Sequence, residues 1–325
     1  RESAGGTPGH IIPPFRMGSE AIDSDVNFIK DHGVEFIFNC DPDLTAPKLQ
    51  AAGYRYVVVA VGAGAEKPFT LTGDSASSVL PALSFLDTFS HNPESLQLGR
   101  TVAVIGAGNT AMDASRSALR VPGVEQSLIV YRRTEKEMPA YREEYELAVA
   151  DNVQFHFLLN PEKFENGQLT CRVMKLGTPD ASGRRKPEPT DEVRVLSVDT
   201  VITAIGEDIN TALLATLGAD GSVPNVYVVG DANHGPSSIV KAIADARQMA
   251  DTICLIEDPL WQSPAVTPVT ATETQVADIQ RKKLGLTVPS KVALEGRRPV
   301  ESAVGEREFS RCLECNYVCN KCVEV

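Results

Sequence analysis

The run TVAVIGAGNTAMDASRSALR at 101–120 constrains the fold more than any other feature of the chain. Its first five residues are β-branched or apolar without polar alternation, the pattern of a strand buried on both faces. Glycines follow at once, then a helix whose first turns carry small side chains. The strand SLIVYRR (127–133) comes next. A strand, a helix and a strand in such close succession imply parallel pairing through a right-handed crossover. A chain holding this unit is committed to helices layered on a parallel sheet.

The turn itself reads GAGNTA (106–111) and fits G-x-G-x-x-G/A in the strand–turn–helix setting that gives the pattern its meaning. Gly106 permits the tight turn, and Gly108 lets backbone approach a pyrophosphate. Ala111 keeps helix and strand close, with the phosphates on the helix N-terminus. The alternative is a glycine turn that binds nothing. Cofactor choice is read at the end of the second strand. An enzyme using NAD places a carboxylate there, whereas Arg132 and Arg133 stand 26 and 27 residues after Gly106. Two guanidiniums suit a 2′-phosphate, so the expected nucleotide is NADPH. A solvated basic pair facing Glu135 and Glu137 is the other reading.

A second unit of the same kind lies later. DTVITAIGEDIN (199–210) is a buried strand ending in glycine, and VPNVYVVGDANHGPSSIVKAIADARQMADTI (223–253) is a strand, a Gly-Asp turn and a long helix. Gly230 and Asp231 put a carboxylate at a strand tip, where it either accepts from a sugar hydroxyl or simply caps a helix. Ser237 and Ser238 stand where a helix N-terminus needs caps. Elsewhere, 24–39 predicts a short helix stopped at Gly33 and then a strand, and 54–64 predicts a buried strand. Residues 81–89 and 141–152 predict helices, 153–159 a strand, and 160–198 short antiparallel strands. Residues 258–325 read as an extended arm, with one helix at 273–284, and a Cys-rich end. No repeat of solenoid period is visible.

The chain has 325 residues, a two-domain length, and a net charge of −12. That charge disfavours nucleic acid as a partner. No apolar run reaches the roughly 20 residues of a membrane span, and no signal peptide opens the chain. RESAGG at one end and CVEV at the other read as the ends of a piece of a longer polypeptide.

Of seven cysteines, Cys312, Cys315, Cys319 and Cys322 crowd into eleven positions spaced C-x2-C-x3-C-x2-C. A secreted disulfide scaffold would be short and cysteine-dense throughout, so a reducing, cytoplasmic setting is expected. Closely spaced thiolates favour zinc or an iron–sulfur cluster. A zinc ribbon wants roughly 15–20 residues between its knuckles, so a [4Fe–4S] cluster is expected, with zinc as the alternative. No nucleophile–His–acid set, HExxH or P-loop pattern is present.

Taken together, GAGNTAMD, YRR, EMPA (137–140), VITAIG and GDANHGPSSIVKAIADAR resemble the NADPH-dependent flavin oxidoreductases of the glutamate synthase small-subunit family, which also includes half of dihydropyrimidine dehydrogenase. The tail RCLECNYVCNKCVEV resembles more specifically the selenate reductase-like iron–sulfur flavoproteins. The resemblance implies an α/β chain with two Rossmann-like dinucleotide-binding domains of disulfide-reductase style. An NADPH domain (99–198) is inserted between a first (1–98) and second (199–257) part of an FAD domain, followed by the arm and Cys-rich tail (258–325). It implies hydride transfer from NADPH to FAD, with electrons leaving through iron–sulfur clusters to an acceptor subunit or domain. Gly106, Gly108, Asn109, Thr110 and Ala111 then hold the pyrophosphate and Arg132 and Arg133 the 2′-phosphate. Ala204–Gly206 pass near the nicotinamide, Gly230 and Asp231 meet FAD, and Ser237, Ser238 and Ile239 lie at the flavin. No side chain is expected to act as general base. Four departures from the family pattern stand out. The glycine fingerprint for the ADP half of FAD and the family's N-terminal iron–sulfur domain are missing, 218–225 is short, and the cysteine run stops one residue before the family's next cysteine. A binding or assembly module with a structural zinc knot is the rival reading outside enzymes, and a glutamate synthase or pyrimidine reductase is the rival within them.

Overall fold

The computed structural model describes residues 1–73, 79–179 and 185–263. In chain order it contains helices α1 (Gly6–His10), α2 (Ser19–Asp31) and α3 (Ala46–Ala51), then strands β1 (Val57–Val59), β2 (Gly64–Glu66) and β3 (Val79–Pro81). Helix α4 (Ala82–His91), strand β4 (Thr101–Ile105), helix α5 (Asn109–Ala118), strand β5 (Gln126–Tyr131), helix α6 (Arg142–Ala150) and strand β6 (Gln154–Phe157) follow. Next come strands β7 (Leu159–Glu165), β8 (Gln168–Pro179), β9 (Arg185–Ser197), β10 (Thr200–Thr203) and β11 (Glu207–Ile209). Helix α7 (Thr211–Leu217), strand β12 (Val226–Val228) and helices α8 (Asp231–His234) and α9 (Ile239–Glu257) complete the series.

The chain divides into two units. One comprises residues 1–38 and 66–206, the other 39–65 and, among the described residues, 207–263.

The first unit is built on a parallel sheet of order β3-β10-β4-β5-β6. Side chains alternate across a strand, so Val102 and Val104 of β4 join one core while Ala103 and Ile105 join the other. The first core is closed by Phe85, Leu86 and Phe89 of α4 and by Ala111, Met112, Ala114 and Ala118 of α5. The second is closed by Leu159, Phe164, Leu169 and Cys171 of the antiparallel meander β7-β8-β9. Both faces are therefore covered, as the apolar strand sequence requires. Burying a Leu or Phe of this kind contributes roughly 1.5–3 kcal/mol.

Residues 1–38 are tied to this unit by charge as well as packing. Arg16 reaches Asp113 of α5 and Glu144 of α6, both at 2.7 Å. Arg116 binds Asp151 at 2.9 Å, and Arg120 binds it at 3.1 Å. The guanidiniums of Arg116 and Arg120 lie 4.8 and 3.9 Å from the centre of the Phe15 ring. The helix expected in 24–39 is present, and Gly33 follows it at φ 84. The strand expected after it does not form. Residues 34–38 carry no sheet pairing among the described residues, and Val34 and Ile37 are exposed, so no neighbouring strand takes up their backbone groups.

The second unit is smaller. Strand β1 pairs in parallel with β12, Val57 opposite Val226 and Val59 opposite Val228. Its core is Ala46, Val57, Val59 and Ala219, with Leu49, Leu214, Leu217, Val226 and Val228 packed against it. Strand β1 spans only Val57–Val59 and buries one face, less than the apolar run 54–64 leads one to expect. Arg55 and Tyr56 both bind Glu257, the last residue of α9.

Candidate functional site

The sheet of the first unit reverses its winding beside β4. From β4 the chain goes outward to β5 and β6, while β10 returns on the other side. In such sheets ligands bind in the crevice beyond the strand ends at this switch point. Two predicted site segments meet there. Gly106 sits at φ 133, and its amide donates to the Val130 carbonyl at 3.1 Å. A Cβ on Gly106 would lie 2.1 Å from the Ala204 carbonyl oxygen, so the turn after β4 and the end of β10 touch through bare backbone. The Ala204 amide in turn donates to the Ile105 carbonyl at 2.8 Å. Gly206, exposed and at φ 101, starts the exit of the chain toward β11.

Gly108 differs from Gly106. Its φ is −89, and a Cβ there would meet nothing nearer than Pro139 Cγ at 3.9 Å. Among the described residues no atom demands glycine at this position. The space it leaves lies at the N-terminus of α5, where the amides of Asn109 and Thr110 have no acceptor within the helix. Ala111 and Met112 instead return their amides to the Gly108 carbonyl. Ala111 is fully buried, in keeping with a residue that sets helix–sheet spacing. The Asn109 carboxamide oxygen accepts from the Tyr141 amide at 2.9 Å, and the Ala140 amide donates to the Ala107 carbonyl. The stretch 138–141 is thereby held beside the turn.

The residues after β5 are equally ordered. Thr134 and Glu137 form a capping box, and the Tyr131 hydroxyl donates to the Glu137 carbonyl at 2.7 Å. Glu135 takes Arg142 at 2.8 Å and the Tyr145 hydroxyl at 3.0 Å. Both nearby carboxylates are therefore engaged away from the arginine pair. Arg132 is exposed and makes no hydrogen bond or ion pair among the described residues. Arg133 is buried, and its Nε donates to the Arg185 carbonyl at 2.8 Å. The two arginines that look equivalent in sequence thus occupy different environments.

A cavity of about 400 Å³ opens at the ends of β3 and β10. Phe69, Leu71, Val79 and Phe164 supply apolar wall, and Glu66 and Thr203 supply polar groups. Burial raises the Glu66 carboxyl above its usual range, opposed by the Leu83 amide that donates to it at 2.7 Å.

In the second unit Gly230 is buried at φ 66, and its amide donates to Asp245 of α9 at 2.6 Å. That hydrogen bond, with a second from His234 at 3.2 Å, holds the Asp245 carboxyl below the usual range. Sequence reasoning missed Asp245. The available signal was a lone carboxylate one turn beyond Lys241 on an otherwise apolar helix face. Asp231 accepts from the Ser237 hydroxyl at 2.7 Å, and Ser238 caps α9 through the Lys241 amide at 3.4 Å. Ile239 opens α9, leaving its first amides without helical acceptors. Gly230, Asp231, Ser237, Ser238 and Ile239 therefore converge on one turn. Cys312, Cys315, Cys319 and Cys322 lie outside the described residues.

A family model for pyridine nucleotide-disulphide oxidoreductases matches residues 10–246. The chain belongs to this oxidoreductase family. It is 43% identical to the Escherichia coli K12 oxidoreductase YgfK over 345 aligned positions, which cover 99% of this chain and 32% of YgfK. The E. coli glutamate synthase [NADPH] small chain is 29% identical, with 74% of this chain and 59% of that one covered. FprA of Mycobacterium tuberculosis, solved in complex with NADPH, superposes with a TM-score of 0.62 at 19% identity, over 85% of this chain and 80% of FprA. That likeness fixes the fold. The chain spans about a third of the length of YgfK. Among the described residues no helix is long and apolar enough to cross a membrane.

Proposed function

We propose that this chain is the NADPH-oxidising segment of an iron–sulfur flavoprotein whose electrons pass to an acceptor subunit or domain. The observation that carries the reading is the β4–α5 turn. It offers open helix amides and an unfilled position at Gly108, with the exposed guanidinium of Arg132, which has no partner among the described residues, following β5 in the same sheet.

In this reading the nucleotide pyrophosphate lies on the amides of Asn109 and Thr110, against Gly106, Gly108 and Ala111. Arg132 meets the 2′-phosphate, while Arg133 fixes the loop from beneath. Ala204 and Gly206 lie along the nicotinamide end. The second unit suits a flavin. Gly230 brings backbone close at a conformation side chains avoid, Asp245 fixes its amide, and the N-terminus of α9 begins at Ser238 and Ile239. Asp231 stands at the strand tip for a sugar hydroxyl, its carboxylate oriented by Ser237. When bound, FAD supplies the hydride-accepting chemistry and the means to release electrons singly. The protein's part is to bind, to orient and to keep both ligands at fixed backbone positions. Cys312, Cys315, Cys319 and Cys322 are the proposed ligands of a [4Fe–4S] cluster in a cytoplasmic enzyme.

The test is an anaerobic absorption spectrum of the full chain, reconstituted with FAD, before and after one equivalent of NADPH. Bleaching of the flavin bands by NADPH, with little effect of NADH, is the expected result. Flavin bands that neither nucleotide bleaches would count against the reading.

A further inference from the structure

The first unit carries a cluster of ligating groups outside the nucleotide turn. His10 ends α1, and Asp87 and His91 stand one turn apart at the end of α4. One ligating atom from each lies within 4.8 Å of the others. The two imidazoles stack with centroids 4.8 Å apart, and His10 Nδ1 is 2.9 Å from His91 Nε2. We propose that His10, Asp87 and His91 form a binding site for a first-row divalent metal ion, zinc foremost.

The hydrogen bonds fix which nitrogens can ligate. His91 Nδ1 lies 2.7 Å from the Asp87 carbonyl, which only accepts, so Nδ1 carries the proton and Nε2 carries the lone pair. Facing that lone pair, His10 Nδ1 donates, and His10 Nε2 is left to accept from the Ser3 hydroxyl at 3.5 Å. A metal takes the place of the proton between the two rings. The proton leaving His10 Nδ1 is taken up at His10 Nε2, Ser3 turns from donor to acceptor, and both imidazoles stay neutral. His91 keeps its Nδ1–H on the Asp87 carbonyl, the outer partner that metal-bound histidines characteristically have.

The geometry is close to what coordination needs. Bonds of about 2.0–2.1 Å place two cis nitrogens roughly 3–3.4 Å apart, so the rings part by less than about half an ångström. Asp87 currently pairs with Arg1 at 2.8 Å, but both side chains are about half exposed and the pair is readily given up. Two imidazoles with a carboxylate suit zinc and its neighbours, whereas calcium and magnesium prefer all-oxygen sets. His10 is 5% exposed, so its ring is already held for the ion. Bound metal would tie residues 3–10 to α4, whose opposite face fills the core through Phe85, Leu86 and Phe89.

The test uses the full chain with Cys312, Cys315, Cys319 and Cys322 changed to Ser, so that tail thiolates contribute nothing. After chelator treatment it is titrated with cobalt(II). The expected result is one equivalent bound, with visible d–d bands and no intense thiolate band. His91→Gln, at an exposed position, should weaken binding at least about 100-fold, since even outer partners are worth up to that. Its melting temperature in chelator should be unchanged. Asp87→Asn provides an independent variant and should weaken binding also. No uptake by the parent, or an affinity in both variants unchanged from the parent's, overturns the proposal.

Discussion

A single methyl group separates the roles of the two glycines in the 106–108 turn. In Gly106→Ala the methyl falls 2.1 Å from a backbone oxygen at a positive φ, which neither strand can yield without losing its register. Chemical denaturation should show a loss of about 3 kcal/mol. Gly108→Ala meets open space, so its melting temperature should match the parent. Its Kd for NADP+, measured by calorimetry, should rise about 10–100-fold, because the methyl fills room the pyrophosphate uses. The arginines divide in the same way. Arg132→Glu should cut the preference for NADP+ over NAD+ by about 10–100-fold, the worth of a charge-assisted hydrogen bond. Arg133→Ala should instead lower stability, since it removes a buried donor from the Arg185 carbonyl. Parallel calorimetry and melting of the two variants check both outcomes. In the sequence Arg132 and Arg133 are indistinguishable, since one strand position decides which of them turns inward. Gly106 and Gly108 were legible as a pair, but the protein atom that demands the first became visible only when β10 was in place.

Among the elements, α5 combines the nucleotide turn at one end with a buried ionic network along its length. Asp113 is buried on it, and desolvation pushes its carboxyl up to about 6, against the pull of Arg16 and Arg116 and with the push of Glu144. The native state therefore binds this proton more tightly than the unfolded chain does. Stability contributed by Asp113 should rise as pH falls through about 6 and be complete below the ordinary carboxylate value. The stability of the parent relative to Asp113→Asn, followed by urea titration between pH 7.5 and 4, should grow by up to about 3 kcal/mol. A difference that stays flat would mean that Arg16 holds the carboxylate ionised throughout. Elements of this kind were easy to place from sequence, because β4, α5 and β5 are long, apolar and strictly patterned. The segment at 34–38 has the same apolar character yet pairs with nothing, since strand formation depends on a neighbour that local sequence does not record. Asp245 escaped notice for a similar reason, its significance resting on a glycine fifteen positions earlier.

Across the whole molecule, the two units differ in how much they bury. The first has two extensive cores on either face of one sheet, whereas among the described residues the core cluster of the second holds four buried apolar side chains beside a two-stranded pairing. Local opening free energy follows buried apolar contact. Hydrogen exchange should therefore find amides of β1 and β12 exchanging faster than those of β4, β5 and β10. Added FAD should slow the former selectively, as a ligand that binds only the folded form must. Equal protection in both units without ligand would show that they open together.

The pairing of Val57 with Val226 has a further consequence during synthesis. At about 5–20 residues per second, the ribosome needs on the order of ten to thirty seconds between the emergence of one strand and the other. Through that interval the apolar side of β1 has no native partner to cover it, while the sheet of the first unit is still being completed. The nascent chain should accordingly be a client for holdase chaperones in a defined window, one that closes when β12 leaves the exit tunnel.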